Sequence, residues 1–160
     1  MPAKYRKLLI VAFLIVGLDQ LTKVLVVNTM RLYESIPVIP GFFNLTYIHN
    51  PGGAFGFMAG QSQTVRVLLF VVVSLLAVGF IFYFYQNTPE SHPMLATGFA
   101  LIFGGAIGNL IDRIRIGTVI DFLDVYVNQW HWPAFNVADS AISIGMAIFL
   151  YHLLFKKMPV

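Results

Sequence analysis

Four long apolar runs constrain this chain more than any other feature of its sequence. They cover about residues 8–28, 65–85, 94–111 and 138–155 of the 160. A helix that crosses a lipid bilayer needs about 20 mostly apolar residues, and about 17 to 25 are tolerated. The runs therefore predict an all-α membrane protein with four transmembrane helices. The chain length is typical of one domain, which we expect to span residues 1–160.

The first apolar run also has the features of a cleaved signal peptide, because a basic start precedes the apolar residues 8–18. No small-x-small cleavage site follows that stretch. The apolar pattern resumes after Asp19, with Leu21, Val24 and Leu25. We therefore expect this segment to be retained as the first membrane helix.

The positive charges of the chain lie mainly at its two ends. Only 11% of the residues are charged, and the formal net charge is +3. The terminal cations are Lys4, Arg6, Lys7, Lys156 and Lys157. Cytoplasmic flanks of membrane helices are rich in Lys and Arg, so this distribution predicts cytoplasmic termini. Nucleic-acid binding would need a basic face, and the sequence shows none.

The connections between the predicted helices differ in length and character. The short, polar, proline-marked segment 86–93 is typical of a turn between helices, here on the cytoplasmic side. The connections 29–64 and 112–137 are long, with strand-like runs at 41–48 and 118–127. Long connections in a compact domain are usually functional. We expect a small β-sheet and an interfacial segment on the outer (periplasmic) side.

Polar residues of three predicted helices fall at a similar depth. Because a helix rises about 1.5 Å per residue, sequence position can be converted to distance from the cytoplasmic end. This conversion places Asp19 near the bilayer middle and four other polar residues in the outer half. The connections that carry Asn50 and Asp121 also reach that outer layer. The residues placed in it from the helices are Lys23, Asn109, Arg113 and Asp139.

Asp121 and Asp139 are candidates for a catalytic pair, because a carboxylate within or beside a membrane usually pairs, binds or reacts. Two carboxyl groups close together share a proton, so that one acts as a base and the other as an acid. Such a pair can hydrolyse a peptide by activating water. Asn136 and Asp139 are equally compatible with a helix cap, in which Asn precedes an acidic residue by three positions.

The other charged residues near this layer have structural explanations. Asp19 and Lys23 are four residues apart on one helix and are expected to neutralise each other. Asp112, at the unfavourable end of a helix dipole, is expected to pair with a cation. Arg113 can extend from its helix end toward water. Asp124 is expected to point away from Asp121, toward solvent.

Other peptidase chemistries have weaker support in the sequence. There is no cysteine, so the chain has neither a disulfide nor a thiol nucleophile. There is no His-Glu-x-x-His zinc motif. Ser140 and Ser143 lie at the opposite end of the last predicted helix from His152. His49 and His131 fall in outer connections and are expected at the surface or the membrane interface. We expect no metal and no cofactor.

Five short motifs together resemble the lipoprotein signal peptidase (signal peptidase II) family. They follow the family's order and extend from Asp19 to Ser140, which is most of the chain. The motifs are Asp19-Gln20-x-Thr22-Lys23, Asn50-x-Gly52-x-Ala54-Phe55, Gly108-Asn109-x-x-Asp112-Arg113, Val119-Ile120-Asp121-Phe122 and Phe135-Asn136-x-Ala138-Asp139-Ser140.

The resemblance implies an aspartic endopeptidase of the bacterial inner membrane. Such an enzyme removes the signal peptide from diacylglyceryl-modified prolipoproteins and cuts before the lipid-modified cysteine. By position, Asp121 and Asp139 match the catalytic dyad. The residues that match the surrounding site are Asn50, Gly52, Gly108, Asn109, Arg113 and Asn136. Those that match a structural polar layer are Asp19, Lys23 and Asp112.

The resemblance also implies partners and an inhibitor class. The substrate is a membrane-embedded, lipidated segment, so the site should open toward membrane lipid near the outer face. Phe55 and the segment Trp130–Trp132 are candidates to clamp that segment. Globomycin-like peptide antibiotics are expected to block the dyad, and the protein is expected to be a monomer. Since the helix N-terminus favours a charged carboxylate, we expect Asp139 to be the more ionised aspartate.

Two other functions compete with the peptidase. A small proton- or ion-coupled transporter would also use intramembrane carboxylates. Four helices leave little room for a transport pathway, however, and the acids cluster in one layer rather than crossing the membrane. A scaffold protein would give no reason for five polar motifs at one depth.

Overall fold

A computed structural model of the chain describes residues 1–52 and 61–155. Its main elements are four helices, α1 (Ala3–Thr29), α2 (Gln63–Asn87), α3 (Pro93–Ile116) and α4 (Val137–Phe155). Each is long and apolar enough to cross a membrane. The prediction of a mostly helical protein with four such helices is confirmed. Large apolar side chains such as Phe13, Leu76 and Leu154 are exposed along these helices, as expected for surfaces that contact lipid.

Helix α3 is the central helix of the bundle and packs against the other three. Its glycines allow the neighbouring backbones to approach closely. A Cβ atom added to Gly104 would lie 3.0 Å from Ala12 Cα of α1. A Cβ atom on Gly98 would lie 3.1 Å from the carbonyl oxygen of Gly145 on α4. Small residues at helix contacts are a common basis of helix association in membranes.

Helix α3 extends five residues beyond the predicted end at Ile111, so Asp112 and Arg113 are helical. It ends at Ile116, and the cap residue that follows, Gly117, has φ of 75°. A residue with positive φ is a frequent helix terminator, and glycine adopts it without strain. The early predicted end reflects the polar pair, which resembles a helix boundary in sequence. In the structure, Asp112 is buried and accepts a hydrogen bond of 3.2 Å from Ile120 N.

A four-stranded antiparallel sheet lies at one end of the bundle, which we call the sheet end. Its strands are β1 (Ser35–Ile39), β2 (Phe43–Asn50), β3 (Val119–Val127) and β4 (Trp130–His131), in the order β1-β2-β3-β4. The two strand-like runs of the sequence correspond to β2 and β3. Strands β1 and β4 were not predicted, because β1 contains Pro37 and β4 has only two residues. Pairing of Asn50 with Val119 and of Ile48 with Asp121 brings the two long connections together.

The prediction that Asp124 is solvated is wrong. Asp124 is only 8% exposed. Its carboxylate accepts a hydrogen bond of 3.0 Å from Asn44 Nδ2 of β2 and lies 2.8 Å from His131 Nδ1 of β4. The strand alternation that separates it from Asp121 does not reveal that neighbouring strands supply polar partners on its own face.

The other end of the bundle joins the start of α1 to the connection between α2 and α3. Lys4 Nζ donates a hydrogen bond of 2.7 Å to the Gln86 carbonyl oxygen, and Lys7 Nζ donates one of 2.7 Å to that of Pro93. Gln86 lies in the last turn of α2, where a cation satisfies a carbonyl group that has no helical partner, whereas Pro93 is the first residue of α3. These lysines therefore have a structural role in addition to the topological one that the sequence indicated.

Candidate active site

Asp121 and Asp139 are linked through one side chain, that of Asn136. Asn136 Nδ2 donates a hydrogen bond of 2.7 Å to Asp121 Oδ1. Asn136 Oδ1 accepts one of 2.9 Å from Asp139 N, and Asn136 N donates one of 3.3 Å to Asp139 Oδ2. Asn136 is fully buried. The structure thus brings a residue of β3 and a residue of the first turn of α4 to one buried amide.

The reciprocal bonds between Asn136 and Asp139 form a capping box at the start of α4. In that arrangement the cap side chain satisfies an orphan amide of the helix, and the acidic side chain returns to the amide of the cap residue. The structural explanation and the chemical one therefore apply to the same residues. The cap holds the Asp139 carboxylate at the helix N-terminus, where negative charge is favoured.

Asn109 on α3 connects this pair to a buried cation. Its Nδ2 donates a hydrogen bond of 2.8 Å to Asp139 Oδ1. Its Oδ1 accepts bonds of 3.1 Å from Lys23 Nζ and 3.2 Å from Asn136 Nδ2. Because the amide oxygen accepts two bonds, its orientation is determined, and the amide nitrogen is directed at Asp139.

Lys23 forms the centre of a buried ion cluster. Its Nζ lies 2.9 Å from Asp19 Oδ2 and 2.7 Å from Asp112 Oδ2. The expected pairing of Asp19 with Lys23, and of Asp112 with a cation, is therefore seen. Asp19 Oδ1 also accepts a hydrogen bond of 3.0 Å from Ala138 N, beside the capping box. A buried charge is tolerated only when it is paired and hydrogen-bonded, as these three are.

Gln20 belongs to the same cluster, although no role was predicted for it. Its Nε2 lies within hydrogen-bonding distance of Asp19 Oδ2 at 3.1 Å, Asp112 Oδ1 at 3.0 Å and the Gly108 carbonyl oxygen at 3.2 Å. The available signal was its place beside Asp19 in the first motif. Gly108 is required to be small here, because an added Cβ would lie 2.7 Å from Asp19 Oδ2.

Asn50 approaches Asp121 from β2. Its Nδ2 donates a hydrogen bond of 2.9 Å to Asp121 Oδ2, so both oxygens of Asp121 accept an amide hydrogen bond. Asn50 Oδ1 accepts one of 2.9 Å from Gly52 N, which fixes the amide orientation in an Asx turn. Gly52 has φ of 81°, a conformation that favours glycine.

Arg113 points toward α2. Its Nη1 donates a hydrogen bond of 3.3 Å to Ser74 Oγ, and its guanidinium carbon lies 5.9 Å from the centre of the Phe70 ring. Within residues 1–52 and 61–155, the structure gives it no hydrogen bond to Asp121 or Asp139. Its charge is nevertheless within electrostatic range of both carboxylates.

The proposed clamp residues are partly described. Trp130 and Trp132 are 85% and 68% exposed. Such exposure suits tryptophan at a lipid–water interface. Phe55, with Gly53, Ala54 and Gly56, lies outside the described residues. His49 is half-buried and His131 is exposed, in agreement with a surface or interfacial position.

Burial raises the pKa of Asp121 to about 6, although hydrogen bonds from Asn50 and Asn136 lower it. The nearby charge of Asp139 raises the pKa further, and that of Lys23 lowers it. A carboxyl group with a pKa near neutrality can give and take protons at physiological pH. A buried carboxyl group with a raised pKa beside a second carboxyl group is typical of an acid–base pair.

A cavity of about 400 Å³ opens beside Asp139. Its walls combine apolar side chains with two hydroxyl groups: Trp132, Phe135, Ser140, Ser143 and Ile144. A second cavity of about 280 Å³ lies between α1, α3 and β2 and contacts Lys23 and Asp112, but neither of the paired aspartates. Of these two cavities, the one beside Asp139 is lined by a member of the pair.

Serine–histidine chemistry has no support in the geometry. His152 lies in the last turn of α4, where its Nδ1 is 2.9 Å from the Ile148 carbonyl oxygen. Ser140 and Ser143 are about 18 Å and 14 Å away along the helix axis. In the described ranges, no three His, Asp or Glu residues form a group that could hold a metal ion.

Comparison with known proteins agrees with this geometry. Residues 11–155 match the family model described as signal peptidase (SPase) II. The lipoprotein signal peptidase of Desulforapulum autotrophicum is 58% identical over 153 residues, which cover 96% of this chain and 94% of that protein. The lipoprotein signal peptidase of Syntrophus aciditrophicus is 51% identical, with 93% and 92% of the two chains covered.

Two solved structures, each described as a bacterial membrane enzyme, have the same fold. One has a TM-score of 0.80 at 31% identity and covers 96% of this chain and 93% of its own. The other has a TM-score of 0.81 at 30% identity and covers 94% of both chains. No similarity found in these comparisons favours a transporter.

Proposed function

The chain belongs to the signal peptidase II family, and on that premise we propose that Asp121 and Asp139 are its catalytic dyad. The protein is a membrane aspartic peptidase that removes signal peptides from prolipoproteins. We further propose that the whole chain, residues 1–160, acts as a single integral-membrane domain. The scissile bond lies before a cysteine that already carries diacylglycerol.

The observation that carries the assignment is that the buried residue Asn136 donates to both carboxyl groups, from its side-chain Nδ2 to Asp121 Oδ1 and from its backbone N to Asp139 Oδ2. A structural cap would need only Asp139. Asp121 is buried on a strand with no capping role, and its two oxygens are occupied by Asn136 and Asn50. Amide donors on both sides orient a carboxyl group without neutralising it, which suits a group that must exchange protons.

The environments of the two aspartates support different roles in hydrolysis. Asp139, at a helix N-terminus, starts ionised and takes a proton from water as the water oxygen attacks the peptide carbonyl carbon. Asp121, whose pKa is raised, holds the proton that the two carboxyl groups share and gives it to the carbonyl oxygen. The resulting diol returns a proton to Asp121 while Asp139 protonates the leaving nitrogen and the C–N bond breaks. Both carboxyl groups are then in their starting states.

The remaining site residues support the dyad. Asn109 and Asn136 orient the carboxyl groups. Asn50, whose amide is held by Gly52 N, donates a hydrogen bond to Asp121 Oδ2. Arg113 supplies positive charge. Gly108 allows the close approach of Asp19. The ion cluster of Asp19, Lys23 and Asp112 fixes α1 against α3 behind the dyad. The cavity beside Asp139 receives the substrate from the membrane side.

The decisive test is cleavage of a diacylated prolipoprotein peptide by purified Asp121→Asn and Asp139→Asn variants. Each should lose at least about 1,000-fold in kcat/KM, as expected when a group of a catalytic unit is removed. Asp124→Asn is the matched control, since it makes the same change on the same strand. Activity above about a tenth of wild type in either dyad variant, with the fold intact, contradicts the assignment.

Two additions to the same assay test the chemistry and the inhibitor class. Cleavage should be insensitive to EDTA, because the dyad activates water by itself. A globomycin-like peptide should inhibit competitively, because it would occupy the cavity beside Asp139. Loss of activity with EDTA that is restored by a metal ion would contradict a dyad-only mechanism.

We also propose that the protein lies in the bacterial inner membrane as a monomer, with both termini cytoplasmic and the sheet end at the outer face. The terminal lysines and arginine support this orientation. The chain has no native cysteine, so Asn128→Cys in the turn between β3 and β4 and Glu90→Cys between α2 and α3 give single labels. A membrane-impermeant maleimide should label the first in intact spheroplasts and the second only after lysis. The reverse pattern would contradict the orientation.

A further inference from the structure

Helix α2 is almost entirely apolar and contributes no residue to the family motifs. Tyr85, at its far end, is its only buried residue. Ser74 is an isolated hydroxyl group within the apolar run. Its Oγ donates a hydrogen bond of 2.7 Å to the Phe70 carbonyl oxygen, which is the usual partner of a serine in a helix. Ser74 Oγ also accepts the hydrogen bond from Arg113 Nη1.

The ring of Phe70 contacts two parts of the site. One side faces the guanidinium group of Arg113, at 5.9 Å from the ring centre. The ring also lies against the turn that holds Asn50, because a Cβ atom added to Gly52 would be 2.7 Å from Phe70 Cε2. Asn50 in turn donates to Asp121. One aromatic ring on α2 therefore supports both Arg113 and the strand end that orients Asp121.

We propose that Phe70 and Ser74 are positioning residues for the reaction, a proposal that rests on the assignment of the dyad. Ser74 and the face of Phe70 hold the guanidinium group of Arg113 at a fixed distance from the carboxyl groups. The same ring prevents the Asn50 turn from moving away from Asp121. Helix α2 thus forms the third side of the site, beside α3 and α4.

The physical reason is the flexibility of an arginine side chain. Free arginine loses considerable rotamer entropy when it is ordered, so an unanchored guanidinium would have to be ordered during the reaction. A hydrogen bond to Ser74 and a cation–π contact with Phe70 order it beforehand. Preorganised positive charge stabilises the partial negative charge that builds up on the carbonyl oxygen before the proton transfer from Asp121 is complete, and this stabilisation acts on kcat.

The first test compares Ser74→Ala with Thr97→Ala. Thr97 is the matched control, because its hydroxyl makes the same bond to a carbonyl four residues back but lies at the other end of the bundle. Ser74→Ala should lower kcat about five- to tenfold with KM changed less than about twofold. Ser74→Thr, which keeps the hydroxyl, should restore kcat. An equal effect of both alanine variants would contradict the proposal.

A double-mutant cycle tests whether Ser74 acts through Arg113. Arg113→Lys keeps the charge but removes the forked donor group. In that background, Ser74→Ala should change kcat by less than about 1.5-fold, because the interaction it removes is already absent. Additive effects would show that Ser74 does not act through Arg113 and would overturn the proposal.

The role of Phe70 is tested by Phe70→Leu against Phe80→Leu. Phe80 lies on the same helix and is 61% exposed. Phe70→Leu keeps an apolar side chain but loses the aromatic face, and should lower kcat about tenfold, whereas Phe80→Leu should leave it unchanged. If Asp121→Asn is inactive while Phe70→Leu and Phe80→Leu behave alike, the positioning role alone fails. If Asp121→Asn remains active, the dyad assignment itself fails.

Discussion

Asn136 combines two functions that are usually carried by different residues. Its side chain begins α4 by accepting a hydrogen bond from Asp139 N, and it also donates to Asp121 on the neighbouring strand. An alanine in its place would remove the cap and leave several buried polar atoms without partners. The stability of the helix start and the geometry of the dyad are therefore coupled through one amide.

Asn136→Ala should lower both stability and activity, whereas Ser62→Ala should lower stability alone. Ser62 caps α2 by accepting a hydrogen bond of 3.3 Å from Val65 N and makes no contact with the dyad. Loss of a cap costs about 0.5–2 kcal/mol. We expect at least a 100-fold fall in kcat/KM for Asn136→Ala, measured beside thermal unfolding in detergent. Comparable activity losses in the two variants would contradict a specific role of Asn136.

The raised pKa of Asp121 predicts a pH dependence of stability. The pKa of this carboxyl group is ordinarily 3.8 and is about 6 in the folded protein. Between these values the folded state binds more protons than the unfolded state, so stability should fall as pH rises. The loss amounts to about 2–3 kcal/mol and is nearly complete at about pH 7, a unit above the folded-state pKa, where the carboxylate is ionised in both states.

Asp121→Asn should remove this pH dependence, because the amide is neutral at every pH. The measurement is the unfolding free energy of wild type and variant in detergent from pH 4 to pH 7.5. The difference between them should grow in favour of the variant as pH rises from 4 to about 7 and then level off. A constant difference across that range would contradict a raised pKa in the folded protein.

At the scale of elements, the distance between α3 and its neighbouring helices depends on glycines. A Cβ atom added to Gly105 would collide with the Ala138 carbonyl oxygen and lie 2.8 Å from Ile142 Cγ1 on α4. Ala138 and Asp139 form the first turn of α4, so this contact also determines where the dyad lies. Gly79 on α2 has nothing within 4 Å of an added Cβ.

Gly105→Ala should therefore destabilise the protein by about 1–3 kcal/mol, because it overfills a close-packed contact. Gly79→Ala should have no destabilising effect, since alanine favours a helix more than glycine does. Thermal unfolding in detergent measures both changes, and peptide cleavage shows whether the displaced α4 lowers activity. Equal stability of the two variants would contradict the close approach of α3 and α4.

The elements themselves were predictable to different degrees. The helices follow from apolar runs that are local in sequence and long enough to cross a membrane. Strands β2 and β3 have local apolar patterns, but β1 and β4 exist because neighbouring strands pair with them. The end of α3 at Ile116 likewise depends on the burial of Asp112 by partners from α1 and β3.

At the scale of the whole molecule, both tryptophans lie at the sheet end. Trp130 and Trp132 are the only two in the chain, so their fluorescence reports the depth of that end in a bilayer. We expect stronger quenching by lipids brominated near the headgroup than by lipids brominated near the chain ends, because tryptophan favours the interface. Trp130→Phe and Trp132→Phe separate the two signals. Stronger quenching by the deep label would contradict an interfacial sheet.

The sequence by itself determined the four apolar helices, the expected outer layer of polar residues and the resemblance to signal peptidase II. These follow from composition and spacing within short segments, which are local properties of a chain. The family motifs also single out Asp121 and Asp139 among the seven acidic residues. The spacing of these residues in the sequence does not show that Asn136 connects them.

Only the tertiary structure decided which partners those residues have. It placed Asn136 between the two aspartates, gave Asp124 partners on the neighbouring strands and added Gln20, Phe70 and Ser74 to the surroundings of the site. The partners of such residues lie far apart in the chain; Arg113, for example, is separated by 39 positions from Ser74. Hydrogen bonds of this kind depend on how helices and strands pack, and local sequence patterns carry no record of that packing.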